Sequence, residues 1–150
     1  MNWQKLYNPF VIFLLRSPLH SLVGKNMMLI TVTGRKGGTR YTIPVSSIRD
    51  GETLLVISKQ DRTWWKNLQG GAQVTVSLQG HALQARGEAF TDTETVSKTL
   101  LLILQRVPGY QRLFHLKLDE TGQPENPEAL TRLAQDRVIV RVRKLTALAA

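Results

Sequence analysis

Apolar and β-branched residues recur in short runs along the chain, and turn-forming residues separate the runs. The run MMLITVT at 27–33 is apolar on both faces, a pattern typical of a buried strand. Other runs alternate apolar and polar positions or follow a turn such as Asp50-Gly51, which indicates hairpins. We therefore expect six strands, at residues 27–33, 41–48, 52–59, 74–78, 81–90 and 138–143.

Capping residues and prolines predict helices around these strands. Thr91 with Glu94 three residues later fits a capping box, and the helical pattern that follows runs to Pro108-Gly109. The segment from Lys117 to Asn126 is polar and rich in turn formers, so we expect a loop there. The caps of the other expected helices are Asn8, Ser17, Asp61 and Asn126.

The order of these elements favours a mainly β protein of the α+β class. Successive hairpins without alternating helices argue against a doubly wound parallel sheet and favour an antiparallel barrel flanked by helices. Pro44 cannot donate a ladder hydrogen bond, so it marks an edge, a bulge, or a place where something other than a strand lies alongside. We expect one domain, with a helical segment at 1–25 and the barrel at 26–150.

The amino-acid composition indicates which kinds of partner the protein can bind. The formal charge of +9 favours an anionic partner: nucleic acid, acidic lipid, or a phosphorylated or carboxylated small molecule. The basic residues cluster at element junctions rather than along one helix, so nucleic acid is not the expected partner. With no cysteine, the chain has no disulfide, no thiolate nucleophile and no Cys-type zinc site.

The apolar run at residues 10–15 bears on localisation. It is far shorter than the roughly 20 residues needed to span a bilayer, and no small-residue cleavage pattern follows it. We therefore expect a soluble cytoplasmic protein. Peripheral membrane contact stays open, because Trp3, Phe10 and Phe13 lie in one N-terminal segment with cationic residues.

The turn GRKGGTR between the first two strands carries more charge than a hairpin needs. Arg35, Lys36 and Arg40 supply charge and donors, and Gly37 and Gly38 let backbone N–H groups approach an anion. The turn matches neither the P-loop nor the dinucleotide-binding motif. It is either an anion-binding turn or a solvated basic hairpin.

Few residues suggest protein-based catalysis. The three histidines, His20, His81 and His115, have no carboxylate or serine partner at a recognisable spacing. If the protein is an enzyme, we expect the reactive atoms to belong to a bound cofactor. The adjacent Trp64 and Trp65 are then either core anchors or the walls of a slot for a flat ring.

The chain resembles the deazaflavin-dependent nitroreductase and quinone reductase family in four stretches that keep the family's order: SPLHSLVGKNMMLITVTGRKGGTRYTIPV, DGETLLVISK, WWKNL and VPGYQ. This family is a branch of the split β-barrel flavin-binding proteins, so the resemblance implies a six-stranded antiparallel split β-barrel of the FMN-binding type. Its members bind coenzyme F-420, whose tail carries a phosphate and glutamates. They pass its hydride to quinones, nitroaromatics or other activated acceptors.

The resemblance also implies site residues. At the cofactor these are Arg35, Lys36, Gly37 and Gly38 on the phosphate, Pro44 and Val45 against the ring, Ser58 and Lys59 at its polar edge, and Trp64 and Asn67 at its border. Their own chemistry adds Arg40 and Trp65 to this set. Ser46 and Tyr110 fall where members line the acceptor pocket, and Ser58 and Tyr110 are the candidates for polarising an acceptor or supplying a proton.

Two departures from the family and several alternatives stay open. Arg40 is one place off the expected register, and the loop from Lys117 to Asn126 has the character of an insertion. FMN could take the place of F-420, and a non-enzymatic carrier of an apolar ligand is a further alternative. The expected partner is a small-molecule acceptor, and the protein is expected to be a monomer or a homodimer.

Overall fold

The computed structural model describes residues 27–34, 37–78 and 81–144. Its contacts divide them into two compact units. The first, called here the barrel unit, comprises residues 27–57, 63–89 and 140–144 of the described chain. The second, called here the helical unit, comprises residues 58–62 and 90–139. The expected helices near Asn8 and Ser17 lie outside the described residues.

Seven strands form one curled, antiparallel half-barrel sheet. They are β1 Met27–Thr33, β2 Arg40–Ser46, β3 Ile48–Asp50, β4 Thr53–Lys59, β5 Ala72–Leu78, β6 His81–Phe90 and β7 Arg137–Lys144. Their order in the sheet is β2-β1-β5-β6-β7-β4-β3. The mainly β character is confirmed, whereas the count of six strands was wrong because the stretch at 41–48 divides at Ser47 into two strands.

Strand β1 lies in the middle of the barrel unit's core. It pairs with β2 from Met27↔Ser46 to Thr33↔Arg40 and with β5 on its other side. Its residues 28–30 are at most 1% exposed, so both faces of the strand are covered. The sequence predicted a buried strand from this run of apolar residues without alternation. The structure agrees, since a strand that is buried on two faces has no polar side.

The break at Ser47 explains the curl of the sheet. Strands β2 and β3 stand at opposite ends of the strand order, yet Ser47 alone separates them along the chain. The Cα atoms of Ser46 and Ile48 can be no more than about 7 Å apart, because two peptide units span that distance at most. The two ends of the sheet must therefore approach each other at Ser47, which is 6% exposed.

The helical unit contains the α-helices α1 Thr93–Arg106, α2 Gly109–Phe114 and α3 Pro127–Gln135. Helix α1 is capped one residue later than expected, by the Asp92 side chain, which accepts from the Thr95 amide at 2.9 Å. The start of α3 is as expected, since the Asn126 side chain accepts from the Ala129 amide at 3.2 Å. The two helices pack together, and Leu100 of α1 is fully buried.

A side chain completes the junction between α1 and α2. The carbonyl of Leu104 would normally accept from the amide four residues later, but that residue is Pro108, which has no N–H. The Gln111 side chain replaces the missing donor, with Nε2 donating to the Leu104 carbonyl at 3.2 Å. Its Oε1 accepts from the Leu118 amide at 3.4 Å, so one glutamine ties both helices to the following segment.

The polar segment after α2 is a loop, as expected, and backbone hydrogen bonds fold it into a hairpin. The Asp119 amide donates to the Gln123 carbonyl at 2.7 Å, and the Glu125 amide donates to the Lys117 carbonyl at 2.9 Å. Its turn formers were visible in the sequence, but its pairing was not. Within the described residues, no helix combines the length and the apolar character needed to cross a membrane.

Candidate functional site

The turn between β1 and β2 presents backbone and charge together. The Gly34 amide donates to the Thr39 carbonyl at 2.7 Å and closes the turn. Gly37 and Gly38 have φ angles of 95° and 67°, and no atom lies within 4 Å of where a Cβ would stand on either. Both are therefore exposed in backbone conformations that favour glycine. Arg40, the first residue of β2, is exposed, whereas Arg35 and Lys36 lie outside the described residues.

The sequence around this turn carries positive charge almost exclusively. The first acidic residue of the chain is Asp50, and the 49 residues before it contain seven lysines and arginines. Residues 1–49 thus carry seven of the nine net positive charges. A turn with exposed glycines in a stretch of sequence rich in positive charge suits a phosphate or carboxylate group, so these residue types fit a cofactor with an anionic tail.

Strand β2 is the last strand at its end of the described sheet. Pro44 lies on it, opposite Leu29 of β1, so the edge is the alternative that the structure has among the three that the proline left open. Pro44 and Val45 are half-buried, and Ser46 is exposed with its hydroxyl donating to the Met27 sulfur at 3.3 Å. The strand therefore offers partly accessible apolar surface, which an aromatic ring can cover.

The two tryptophans lie in a 3-10 helix, Trp64–Leu68, of the barrel unit. Each is only 6% exposed, which makes both of them core anchors and leaves little ring surface to wall an open slot. The Lys66 ammonium lies 5.9 Å from the Trp65 ring centroid, a cation–π contact. The side-chain Nδ2 of Asn67 donates to the Trp64 carbonyl at 3.2 Å and so stabilises the helix turn.

Three predicted site residues belong to the helical unit. Ser58 is 7% exposed and its hydroxyl donates to the Lys59 carbonyl at 3.1 Å, while Lys59 itself is exposed. Tyr110 stacks on Phe114 with ring centroids 5.8 Å apart, and burial raises the pKa of its phenol. The phenol therefore stays protonated at neutral pH and can act as a hydrogen-bond donor.

The sequence reading missed the aromatic and cationic surroundings of Tyr110. The Arg137 guanidinium lies 5.7 Å from the Phe114 ring centroid, so Phe114 contacts both a cation and the Tyr110 ring. The i,i+4 spacing of Tyr110 and Phe114 was a visible signal for their contact. Arg137 follows twenty-three residues later, and no local pattern could have indicated its approach.

Known proteins are similar to most of this chain in sequence or in structure. Residues 18–116 match the model of a family described as F420H2-dependent quinone reductase. No curated protein matches the chain. Among solved structures, a candidate pyridoxamine 5'-phosphate oxidase from Listeria innocua is similar, with 12% identity, coverage of 85% of this chain and 90% of that chain, and a TM-score of 0.52. This likeness concerns the fold.

Two further solved structures are more distant in shape. An F-420 reductase has 20% identity, coverage of 81% of this chain and 88% of that chain, and a TM-score of 0.46. An F-420-H2 dependent reductase has 15% identity, coverage of 78% and 94%, and a TM-score of 0.48. Scores below one half do not by themselves establish a shared fold, so the match to the family model is what assigns the chain.

Proposed function

Since the chain belongs to the F420H2-dependent quinone reductase family, we propose that it transfers a hydride from reduced coenzyme F-420 to a quinone. Coenzyme F-420 is its cofactor, and the chain is an oxidoreductase that depends on it. The carrying observation is the family match over residues 18–116, which includes the charged turn and the tryptophan helix. When bound, the deazaflavin supplies the hydride. A nitroaromatic is the second class of acceptor to test.

The turn between β1 and β2 would bind the anionic tail. Exposed amides of Gly37 and Gly38 donate to a phosphate, and Arg40 adds a forked cationic donor beside them. Arg35 and Lys36 of the same turn complete the group in this proposal. The excess positive charge of the first third of the chain supports it, because it raises the local concentration of an anionic ligand.

The edge strand β2 would bind the ring. Pro44 and Val45 cover one side of it with apolar surface, which keeps water away from the transferred hydride. Ser46 stands next to them with an exposed hydroxyl. Both indoles are buried, so we propose that Trp64 and Trp65 act indirectly. With Asn67 they form a rigid helix at the border of the cofactor.

Tyr110, Ser58 and Lys59 are the remaining predicted site residues, and their roles are part of this proposal. Reduction of a quinone by a hydride also needs a proton at the acceptor oxygen. Tyr110 is proposed to polarise that oxygen by donating a hydrogen bond to it, since burial raises the pKa of its phenol and keeps the phenol protonated. Ser58 and Lys59 are proposed to contact the polar edge of the deazaflavin.

Binding and turnover test this function directly. The purified full-length protein is titrated with F-420, and reduced F-420 is then mixed with menadione while cofactor absorbance is followed. Arg40→Gln and Lys36→Ala are expected to weaken F-420 binding about tenfold, because each removes a charged donor to the tail. The matched control is Arg49→Gln, an exposed arginine on β3 with the same charge change, which should alter binding by no more than about twofold.

Each outcome separates one alternative. Absence of F-420 binding would refute the proposal, and binding of F-420 without turnover of any quinone or nitroaromatic would indicate a carrier of the ligand. Displacement of F-420 by an equal concentration of FMN would favour FMN as the ring. Equal losses in Arg40→Gln and Arg49→Gln would show that only net charge matters and would refute the role of the turn.

A further inference from the structure

A concave surface lies entirely within the helical unit. It is a groove of about 970 Å³ between α2, the segment that follows it, and the start of α3. This volume is in the range of small-molecule sites in proteins, about 300–1,000 Å³. The side chains that matter for its chemistry are Gln111, Arg112, His115, Leu116, Lys117 and Glu125.

The wall of the groove is preformed. It contains the hairpin after α2, whose turn is held by the Asp119 carboxylate, which accepts from the amides of Thr121 at 2.8 Å and Gln123 at 3.1 Å. Gln105 of α1 fastens this turn by donating from Nε2 to the Gly122 carbonyl at 2.8 Å. A ligand would therefore meet an ordered surface and would not have to order a loop on binding.

The groove combines an apolar floor with an excess of cationic groups. Leu116 is 5% exposed and forms part of the floor, while Arg112, His115 and Lys117 are exposed along the rim. Within the part of the chain that the structure describes, neither Arg112 nor Lys117 forms an ion pair, and Glu125 is the single carboxylate of the lining. Two cationic side chains are therefore available to an anion.

His115 adds a conformational observation. It has φ 55° and ψ 41° at the end of α2, and among the described residues it is the one non-glycine residue with positive φ. Glycine is the common choice at such a helix end, since a side chain there is strained. The imidazole is thus kept on the groove lining at a conformational cost, as residues with a binding role often are.

The groove is also outside the machinery proposed for F-420. Half of its lining residues lie beyond residue 116, where the family match ends. Tyr110 and Phe114 occupy one face of α2, whereas Gln111 and Arg112 follow at steps of about 100° toward another face. The Gln111 amide is already used by backbone groups, so the rim cations remain the donors for a ligand.

We propose that this groove is a second ligand site, which binds a small molecule with one anionic group and an apolar or aromatic body. Arg112 and Lys117 bind the anionic group, and Leu116 with its apolar neighbours covers the body. The site goes beyond the proposed hydride transfer and does not depend on it. Its ligand class differs from a purely apolar acceptor in requiring a carboxylate, sulfonate or phosphate.

The test compares two probes that share a body and differ in charge. The full-length protein is titrated with naphthalenesulfonate and, separately, with naphthylmethylammonium, and backbone amide shifts are followed by NMR. We expect the anion, and not the cation, to shift residues 111–118 and 125–129. F-420 binding is measured on the same samples, so that failure of this site and failure of the proposed function are distinguished.

Variants then assign the binding to the rim cations. Arg112→Gln and Lys117→Gln should each weaken naphthalenesulfonate binding about tenfold. Arg132→Gln is the matched control, since Arg132 is an exposed arginine of α3 outside the lining, and its effect should stay within about twofold. Thermal melts check that all three variants fold. Absence of shifts in the groove, equal response to the cation, or equal losses in Arg132→Gln and Arg112→Gln would each overturn the proposal.

Discussion

Gln111→Met tests whether one amide side chain replaces the backbone donor that Pro108 lacks. Methionine is similar in length and shape to glutamine but cannot donate to the Leu104 carbonyl or accept from the Leu118 amide as glutamine does. The variant therefore removes two hydrogen bonds while it largely conserves packing. Leu104 itself is fully buried, so its carbonyl has limited access to water.

The magnitude follows from the geometry of the two bonds. A buried polar group left without a partner costs about 1–3 kcal/mol. The bond to Leu104 has an ordinary length of 3.2 Å, whereas the bond from Leu118 is 3.4 Å and contributes little. Both are only partly buried, so water can replace part of the loss. We expect the free energy of unfolding to fall by about 1–2 kcal/mol.

Urea unfolding followed by circular dichroism measures this change. Gln73→Met is the matched control, because Gln73 is exposed on β5 and its amide donates only to the exposed side chain of Gln84 at 2.7 Å. The control should change the free energy of unfolding by less than about 0.5 kcal/mol. A loss below about 0.5 kcal/mol in Gln111→Met, or an equal loss in both variants, would refute the assignment of Gln111 as a substitute donor.

Three further outcomes follow from single residues. His115→Gly should raise the free energy of unfolding by about 0.5–1 kcal/mol in a urea titration, because glycine relieves the left-handed strain, whereas His115→Ala should not. Gly71→Ala should lower it by about 1–2 kcal/mol, since Gly71 has φ 92°, a conformation that strains a residue with a Cβ; an unchanged urea midpoint would contradict this. Hydrogen bonds, first that from the Thr121 side chain, lower the pKa of Asp119 below its ordinary 3.8, so this carboxylate stabilises the fold above that pH and loses its effect as the pH falls through the folded pKa. The stability advantage of the wild type over Asp119→Ala should therefore shrink on acidification, and a constant difference across the range would contradict the linkage.

Local chemistry made several elements predictable. The apolar run of β1, the turn at Asp50-Gly51 and the start of α3 at Asn126 each depend on residues close together in the sequence, and the structure has them where they were expected. The cap of α1 was displaced by one residue, from Thr91 to Asp92, whose side chain forms the capping hydrogen bond. The 3-10 helix begins after Thr63 rather than after Asp61, and Thr63 makes no side-chain capping hydrogen bond.

The candidate site was predictable to a lesser degree. The glycine-rich turn follows from residue type, since positive φ favours glycine. The missing donor of Pro44 left an edge, a bulge or a non-strand neighbour open, and the strand order decided for the edge. The choice between core anchors and slot walls for Trp64 and Trp65 did not follow, because burial depends on what packs against a side chain from elsewhere in the chain.

Residue type and local spacing thus determined the strands, the turns, the excess of positive charge and the resemblance to a deazaflavin-dependent family. Tertiary structure decided that one predicted strand divides at Ser47 and that the backbone of His115 is left-handed. It also decided that the Gln111 side chain donates to the Leu104 carbonyl. The physical reason is the range of the interactions. Turns and caps are satisfied by neighbours along the chain, whereas strand order, strain and the pairing of orphaned backbone groups are settled by contacts that exist only once the chain has folded.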